Sequence, residues 1–413
     1  MPKYFWSVLS ILVVPVFAQT SGTLVLTHAN VIDGTGADVI RDATVVVRQG
    51  KILEIVRGSA SVPQGATVLD LGGKYLLPGL IDAHVHVTDV AQADVALKSG
   101  VTTVRSMGVA NFADVGLREL GKAEAVDLPE MFAAGYHVRP QLDPAAFLNE
   151  PSLAPFMRGV QGPAAYRQVV SMMVKHGVNW IKTTPTERGG VPQTDPRKQT
   201  MSEEEMTAIV EESRKAGIPV AAHAHGDEGG RAAVRAGVRS IEHGTYLSDE
   251  TLDLMKEKGV YLAPTVAVVQ DLSGPGGDYD HPLLQNRGRH MLPRVREVVA
   301  HAMQKGVKIV AATDTAYRPE STLRLSHELE ELVRSGLSPM AAIRAATTTA
   351  AELLGIEKRT GAIRAGLEAD LIAVDRNPLD SIVYLQDVLL VVNNGKIVLN
   401  RISMGLAPTP PSN

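Results

Sequence analysis

The stretch Leu76-Leu77-Pro78-Gly79-Leu80-Ile81-Asp82-Ala83-His84-Val85-His86-Val87 is an apolar run that carries two histidines one residue apart. Extended backbone sends successive side chains to opposite faces, so His84 and His86 share one face and Val85 and Val87 the other. Two imidazoles side by side on a buried face suit one metal ion, although a pair of hydrogen-bonded core histidines would account for them as well. Residues farther along the chain decide between the two.

After this run, strand-like and helix-like segments alternate, the pattern of parallel βα units. Strands are expected over residues 80–87, 101–107, 130–138, 179–184, 219–225, 240–244, 259–266 and 308–315, with helical stretches such as 202–216 and 322–335 between them. Eight such units predict an α/β protein with a (β/α)8 TIM barrel over residues 79–358. A doubly wound sheet would want a Gly-rich phosphate loop after its first strand, and Thr88-Asp89-Val90 stands there instead. On either side of the barrel, residues 19–78 and 359–405 hold short β-branched runs, among them Ala43-Thr44-Val45-Val46-Val47 and Val388-Leu389-Leu390-Val391-Val392, with a hairpin signal at Asn394-Gly395. These two ends are read as one small β-sandwich domain. Residues 406–413 read as a disordered tail.

The extreme N-terminus differs in kind. Lys3 precedes an apolar stretch ending in Val16-Phe17-Ala18, which reads as a secretory signal over residues 1–18. With no cysteine in the chain, neither a disulfide framework nor a lipidated N-terminal Cys is available. A periplasmic or secreted protein, free of the membrane once the signal is removed, is the expectation. Hydrophobic content of 45%, charged content of 21% and a formal net charge of -4 describe an ordinary globular chain of 413 residues. No basic run points to nucleic acid.

Groups able to bind metal gather at the expected C-terminal ends of the strands, the face where such barrels place active sites. They are His84 and His86; Lys182 in Trp180-Ile181-Lys182-Thr183-Thr184; His223 and His225 in Ala222-His223-Ala224-His225-Gly226; His243 in Ile241-Glu242-His243-Gly244; and Asp314 in Ala312-Thr313-Asp314-Thr315. His223 and His225 share a strand face, so spacing alone does not choose between them.

With these motifs in hand, the chain resembles the amidohydrolase superfamily, in its secreted imidazolonepropionase-like and Xaa-Pro dipeptidase-type branch. The likeness runs from Pro78-Gly79-Leu80-Ile81-Asp82-Ala83-His84-Val85-His86 through Ile241-Glu242-His243-Gly244 to Gly366-Leu367-Glu368-Ala369-Asp370-Leu371-Ile372. The resemblance implies a binuclear centre of two divalent ions, zinc first among them. In it His84, His86 and Asp314 would hold one ion, His223 and His243 the other, and Lys182, carbamylated by carbon dioxide, would bridge them. His225 is then left to touch substrate. A physical reason for the lysine stands independently: an ammonium flanked by Trp180 and Ile181 at the inner rim loses solvation, which favours the neutral amine that captures carbon dioxide. Two departures from the family tell against a proline dipeptide as substrate. Ser106 stands after the second strand where relatives carry Asp, and Tyr136-His137-Val138-Arg139-Pro140-Gln141 replaces a Gly-rich, His-containing loop after the third.

The expected activity is hydrolysis of a carboxamide bond in a dipeptide, N-acyl amino acid or related carboxylate-bearing amide. Asp314 is the expected general base and acid, and His225 or His137 would donate to the oxyanion. Arg139, Tyr136 and Arg318 are candidates for the substrate carboxylate, with His225 and His137 beside them. A one-metal deaminase or cyclic-amide hydrolase using His84, His86, His223 and Asp314 is the alternative. A non-enzymatic binding protein on a degenerate barrel is the remote one. A small amide or dipeptide is the only partner expected, and a homo-oligomer is compatible with the sequence. His327-Glu328-Leu329-Glu330-Glu331 lacks the second histidine of a zinc-protease helix and is read as a solvated helix face.

Overall fold

The structure, a computed structural model, describes residues 22–402. The signal and tail expected at residues 1–18 and 406–413 lie outside the described residues. Strands β1 (Leu24–Val31), β2 (Ile40–Arg48), β3 (Lys51–Arg57), β4 (Thr67–Asp70) and β5 (Tyr75–Pro78) precede the histidine-bearing strand β6 (Leu80–Val85). Then come β7 (Val101–Ser106), β8 (Glu130–Phe132), β9 (Ile181–Thr183), β10 (Val220–Ala224), β11 (Ser240–His243) and β12 (Tyr261–Ala263). Strands β13 (Leu371–Val374), β14 (Val388–Asn393) and β15 (Lys396–Asn400) close the described chain.

Both ends of the chain meet in one sheet, ordered β15-β14-β13-β5-β1-β2-β3 with β4 on β1. The expected joining of the two ends into one β domain is seen as this single hydrogen-bonded sheet. Strand β13 pairs antiparallel with β5 in the register Ala373 to Leu76, which joins the C-terminal hairpin edge to edge with the N-terminal strands. Hairpin chemistry sets the turns: Gln49-Gly50 and Asn394-Gly395 both take positive φ, the conformation a two-residue antiparallel turn needs.

The segments between form parallel ladders, β6-β7-β8 and β9-β10-β11-β12. Parallel bridges join them: Val138 to Thr183, Leu262 to Ile309, and Thr315 to Val85. Backbone bonds follow the same path, from Val138 N–H to the Lys182 carbonyl (2.8 Å) and from His86 N–H to the Thr315 carbonyl (2.9 Å). A TIM-barrel-like α/β arrangement results, with amphipathic helices such as Glu203–Lys215 burying Met206, Ile209 and Val210 against it. That helix begins with a capping box between Ser202 and Glu205, the sequence pattern that marks such a start.

Several strands are shorter than their apolar runs. β8 stops at Phe132 because Gly135 turns the chain with φ 64, and residues 308–315 make bridges rather than a ladder, with Asp314 itself at φ 61. The helix Leu325–Arg334 also departs from expectation: Glu328 and Glu331 are buried, so this is not a solvated face. Glu328 accepts the Ala267 N–H at 2.7 Å, and Glu331 pairs with Arg296. Among the described residues no helix is long and apolar enough to cross a membrane.

Candidate metal centre and cleft

The seven groups expected at the strand ends do converge. His86 Nε2 lies 2.8 Å and His84 Nε2 3.4 Å from an oxygen of Asp314, and Lys182 Nζ lies 3.2 Å from His84 Nε2. The His243 ring is 5.2 Å from that of His84, 4.4 Å from His223 and 4.6 Å from His225, so it ties the two sides together. Two sets of donor atoms lie within 4.8 Å of one another, His84, His243 and Asp314, and His223, His225 and His243.

Ring orientation is set by what each imidazole meets on its outer side. Nδ1 of His84 faces Glu242 (2.8 Å), that of His86 the Gly108 carbonyl (2.7 Å), that of His225 Thr245 (2.8 Å) and that of His243 Thr265 (2.7 Å). In each of these four the Nε2 is left for the cluster, the arrangement in which an outer partner fixes the tautomer of a metal-binding histidine. His223 is reversed: its Nε2 lies 3.3 Å from the Glu187 carbonyl, leaving Nδ1 as its free donor. Burial pushes His84 down to about 4 and His225 to about 3, and holds His223 and His243 well below the usual range, so these rings are neutral and able to donate a lone pair. Burial alone would raise Asp314, but His84 and His86 beside it outweigh burial and keep it ionised. Burial brings the Lys182 amine down to about 8. The donor chemistry, neutral imidazoles with one carboxylate and one amine, fits divalent ions of the zinc type.

Beneath the cluster lies a charged layer that sequence reading passes over. In the β10–β11 register His223 stands beside Glu242, which therefore points into the barrel. Its carboxylate receives both Arg105 Nη2 (2.9 and 3.0 Å) and the His84 ring, and Arg105 also donates to the Ala83 carbonyl (2.6 Å) and Ser240 (3.0 Å). Burial would raise Glu242, yet Arg105 and His84 hold it at about 2. The guanidinium lies 4.5 Å from the Trp180 ring, a contact worth roughly 1–2 kcal/mol when desolvated. The only available signal was alternation, which puts Glu242 on the inward side of β11. Its partner Arg105, 137 residues away, leaves no trace in spacing.

Above the cluster opens a cleft of about 380 Å³ lined by His86, His137, Arg139, Arg188, Tyr279 and Asp314. Tyr136 and Arg318 also line it. The Tyr136 hydroxyl is engaged elsewhere, accepting from Asn111 N–H (2.7 Å) and Asn149 Nδ2 (2.6 Å), while Arg318 sits exposed at the rim. His137 stacks 6.0 Å from His86 over Gly108. A Cβ at Gly108 would fall 1.9 Å from the His137 ring, and φ there is 115°, so only glycine can hold His86 from below and leave room for His137. Arg188 and Tyr279 were not anticipated, since nothing in their local sequence distinguishes them from loop residues.

A model of the amidohydrolase family matches residues 75–398, which includes every one of these groups. The chain belongs to the amidohydrolase family. It is 34% identical over 229 residues to an ochratoxinase from Aspergillus niger, a match covering 55% of this chain and 47% of that protein, so it spans about half the length of that relative. It is 30% identical over 394 residues to adenine deaminase 2 of Rhizobium meliloti, covering 91% of this amidohydrolase and 58% of the deaminase. A crystal structure of a Xaa-Pro dipeptidase with bound methionine superposes with a TM-score of 0.81 at 29% identity, covering 92% of this chain and 100% of that one.

Proposed function

We propose that this amidohydrolase is a metal-dependent hydrolase of carbon-nitrogen bonds whose substrate is a small carboxylate-bearing amide, an N-acyl amino acid or a dipeptide. The observation that carries the reading is that two adjoining sets of donors, His84, His243 and Asp314, and His223, His225 and His243, meet at the floor of an open cleft, with His86 against Asp314 and Lys182 against His84. Divalent ions held there would polarise the amide carbonyl and lower the pKa of water. Asp314, ionised and facing the cleft, accepts the proton of the attacking water and returns it to the leaving nitrogen. His225 and His137 stand at the same floor and can donate to the carbonyl oxygen as it gains charge. Lys182 is buried with no carboxylate in ion-pair contact among the described residues, a costly place for an ammonium. Addition of carbon dioxide forms an N–C bond at Nζ, releases a proton and leaves an anionic oxygen donor, which suits a bridge between two cations. The names of the ochratoxinase and the dipeptidase support amide hydrolysis, and that of the adenine deaminase supports the second reading, a one-metal deaminase or cyclic-amide hydrolase. We place the protein in the periplasm or outside the cell on the leader-like residues 1–18.

Reconstitution with zinc and bicarbonate, followed by a screen of N-acyl amino acids, dipeptides, lactams and imidazolones, tests the substrate class; turnover of the cyclic amides alone rejects it. Two ions per chain are expected by metal analysis. Lys182→Ala should lower activity more than about 100-fold and reduce the metal content, with partial recovery in short carboxylic acids. Unchanged metal and activity in that variant would contradict the bridging role.

A further inference from the structure

Among the described residues, three arginines line the cleft with no side-chain hydrogen bond or ion pair, Arg318 exposed at the rim and Arg139 and Arg188 half-buried farther in. Arg139, from the loop after β8, has its Nε buried without a hydrogen-bond acceptor. Burial disfavours the charge on Arg139, and Arg188, from the loop after β9, lies close enough to add to that, with Asp143 acting the other way. The acids near them are committed: Glu187 to Lys198 (2.8 Å), Asp195 to Arg197 (3.0 Å), and Asp143 to the Ala145 amide (2.9 Å) as a helix cap. Both arginines line the 380 Å³ cleft, and both also line an adjoining cavity of about 540 Å³ with Thr184, Thr186 and Gln199, so they stand at the junction of the two.

We propose that Arg139 and Arg188 form a two-arginine subsite that grips one carboxylate of the substrate beside the scissile amide. This rests on the hydrolase reading given above. Two half-buried guanidiniums with no carboxylate in ion-pair contact, Asp143 acting on Arg139 only from a distance, leave hydrogen-bond donors free for an entering anion, and the planar fork of arginine matches a carboxylate with paired hydrogen bonds. The subsite is close to the chemistry, since the Glu187 carbonyl lies 3.3 Å from His223 Nε2 and a Cβ at Gly189 would lie 2.9 Å from His225 Nε2. The loop carrying Arg188 therefore rests directly on the histidines. A carboxylate only two bonds from the scissile nitrogen, as in an N-acyl α-amino acid or a dipeptide, is the class that fits. Asp143, Asp278 and Asp314 line the same cleft, which disfavours a dianion such as phosphate.

The test uses the metal-loaded protein and a pair that differs in charge, 3-phenylpropanoate and its primary amide, in titration calorimetry, with the amide assayed for released ammonia after each titration. The carboxylate should bind at least about tenfold more tightly than the amide, and Arg188→Gln and Arg139→Gln should each weaken it about 10–100-fold while leaving the amide unchanged. Arg188→Lys should recover only part, because it restores charge without the fork. Equal binding of acid and amide, no binding of the acid, or unchanged affinity in both Gln variants at full metal content would overturn the subsite. In the last case the carboxylate sits on the ions. A parallel turnover assay with N-acetylphenylalanine and its carboxamide separates the two proposals. No turnover with carboxylate binding intact rejects the hydrolase reading alone, whereas turnover without discrimination rejects the subsite alone.

Discussion

The two sides of the donor cluster are held in place by different physics. On the β6 side, His84 rests on Glu242, which is ion-paired with Arg105 in the interior, so charge supports that ring, while its neighbour His86 rests on the Gly108 carbonyl. On the β10–β11 side, His225 and His243 rest on the hydroxyls of Thr245 and Thr265, and His223 on a backbone carbonyl, so neutral dipoles do the same work. Charged support makes a ring more basic and a stronger ligand, at the cost of burying ions. Neutral support is cheaper to bury and orients without adding basicity. The neutral side also stores backbone strain, with His243 at φ 74 and Thr265, a β-branched residue, at φ 50.

The largest effect should come from breaking the charged side. Glu242→Gln strands the Arg105 guanidinium in the interior and should destabilise the protein by about 3–5 kcal/mol, read as a fall in melting temperature. The double variant Glu242→Gln with Arg105→Met should recover much of that stability yet leave metal affinity reduced, because His84 still lacks its carboxylate. An unaltered melting temperature in the single variant would mean the pair contributes no net charge–charge support.

A smaller effect sharpens the contrast from the other side. Thr265 opens the helix Val266–Leu272, and Glu328 accepts the Ala267 amide in its first turn. Burial pushes Glu328 up to about 8, so even the carboxyl behind the neutral side is itself protonated near neutrality. A carboxyl whose folded pKa exceeds its unfolded value favours the folded state when protonated, and that contribution fades as pH rises from about 4.5 through about 8. Stability should fall by about 3–4 kcal/mol between pH 5 and 8 on this account, and Glu328→Gln should flatten the profile. Parallel profiles for the two proteins would show that Glu328 is ionised throughout.

The smallest effect is expected at Thr265→Val, which keeps the shape and removes the hydroxyl from His243. A loss of about 1 kcal/mol in stability and about tenfold in metal affinity should result. A loss as large as that of Glu242→Gln would erase the distinction between the two sides.

The contrast also marks what a sequence can disclose. The ligand candidates were legible because each ends an apolar run and because the period of two sets their face: His84 with His86, His223 with His225. Their order along alternating strands and helices was enough to bring them to one rim. Arg105, Glu242, Arg188, Tyr279 and Glu328 act through partners on other loops and strands, and proximity of that kind has no local signature. Glu328 was misread for the same reason, since its burial is decided by the helix Val266–Leu272 packing over it. The partnership of the two outer segments was legible in their shared texture, but the pairing that joins them, β13 against β5, is not specified by hydropathy.

That pairing carries a consequence for how the molecule is made. Strand β5 passes through Pro78 and Gly79 straight into the strand bearing His84 and His86, while its partner β13 is synthesised almost 300 residues later. Loop closure over such a span is slow and must wait until β13 itself has been synthesised. The imidazoles of His84 and His86 thus emerge long before the sheet that leads into them is closed, and a nascent chain completes that sheet only once β13 has arrived.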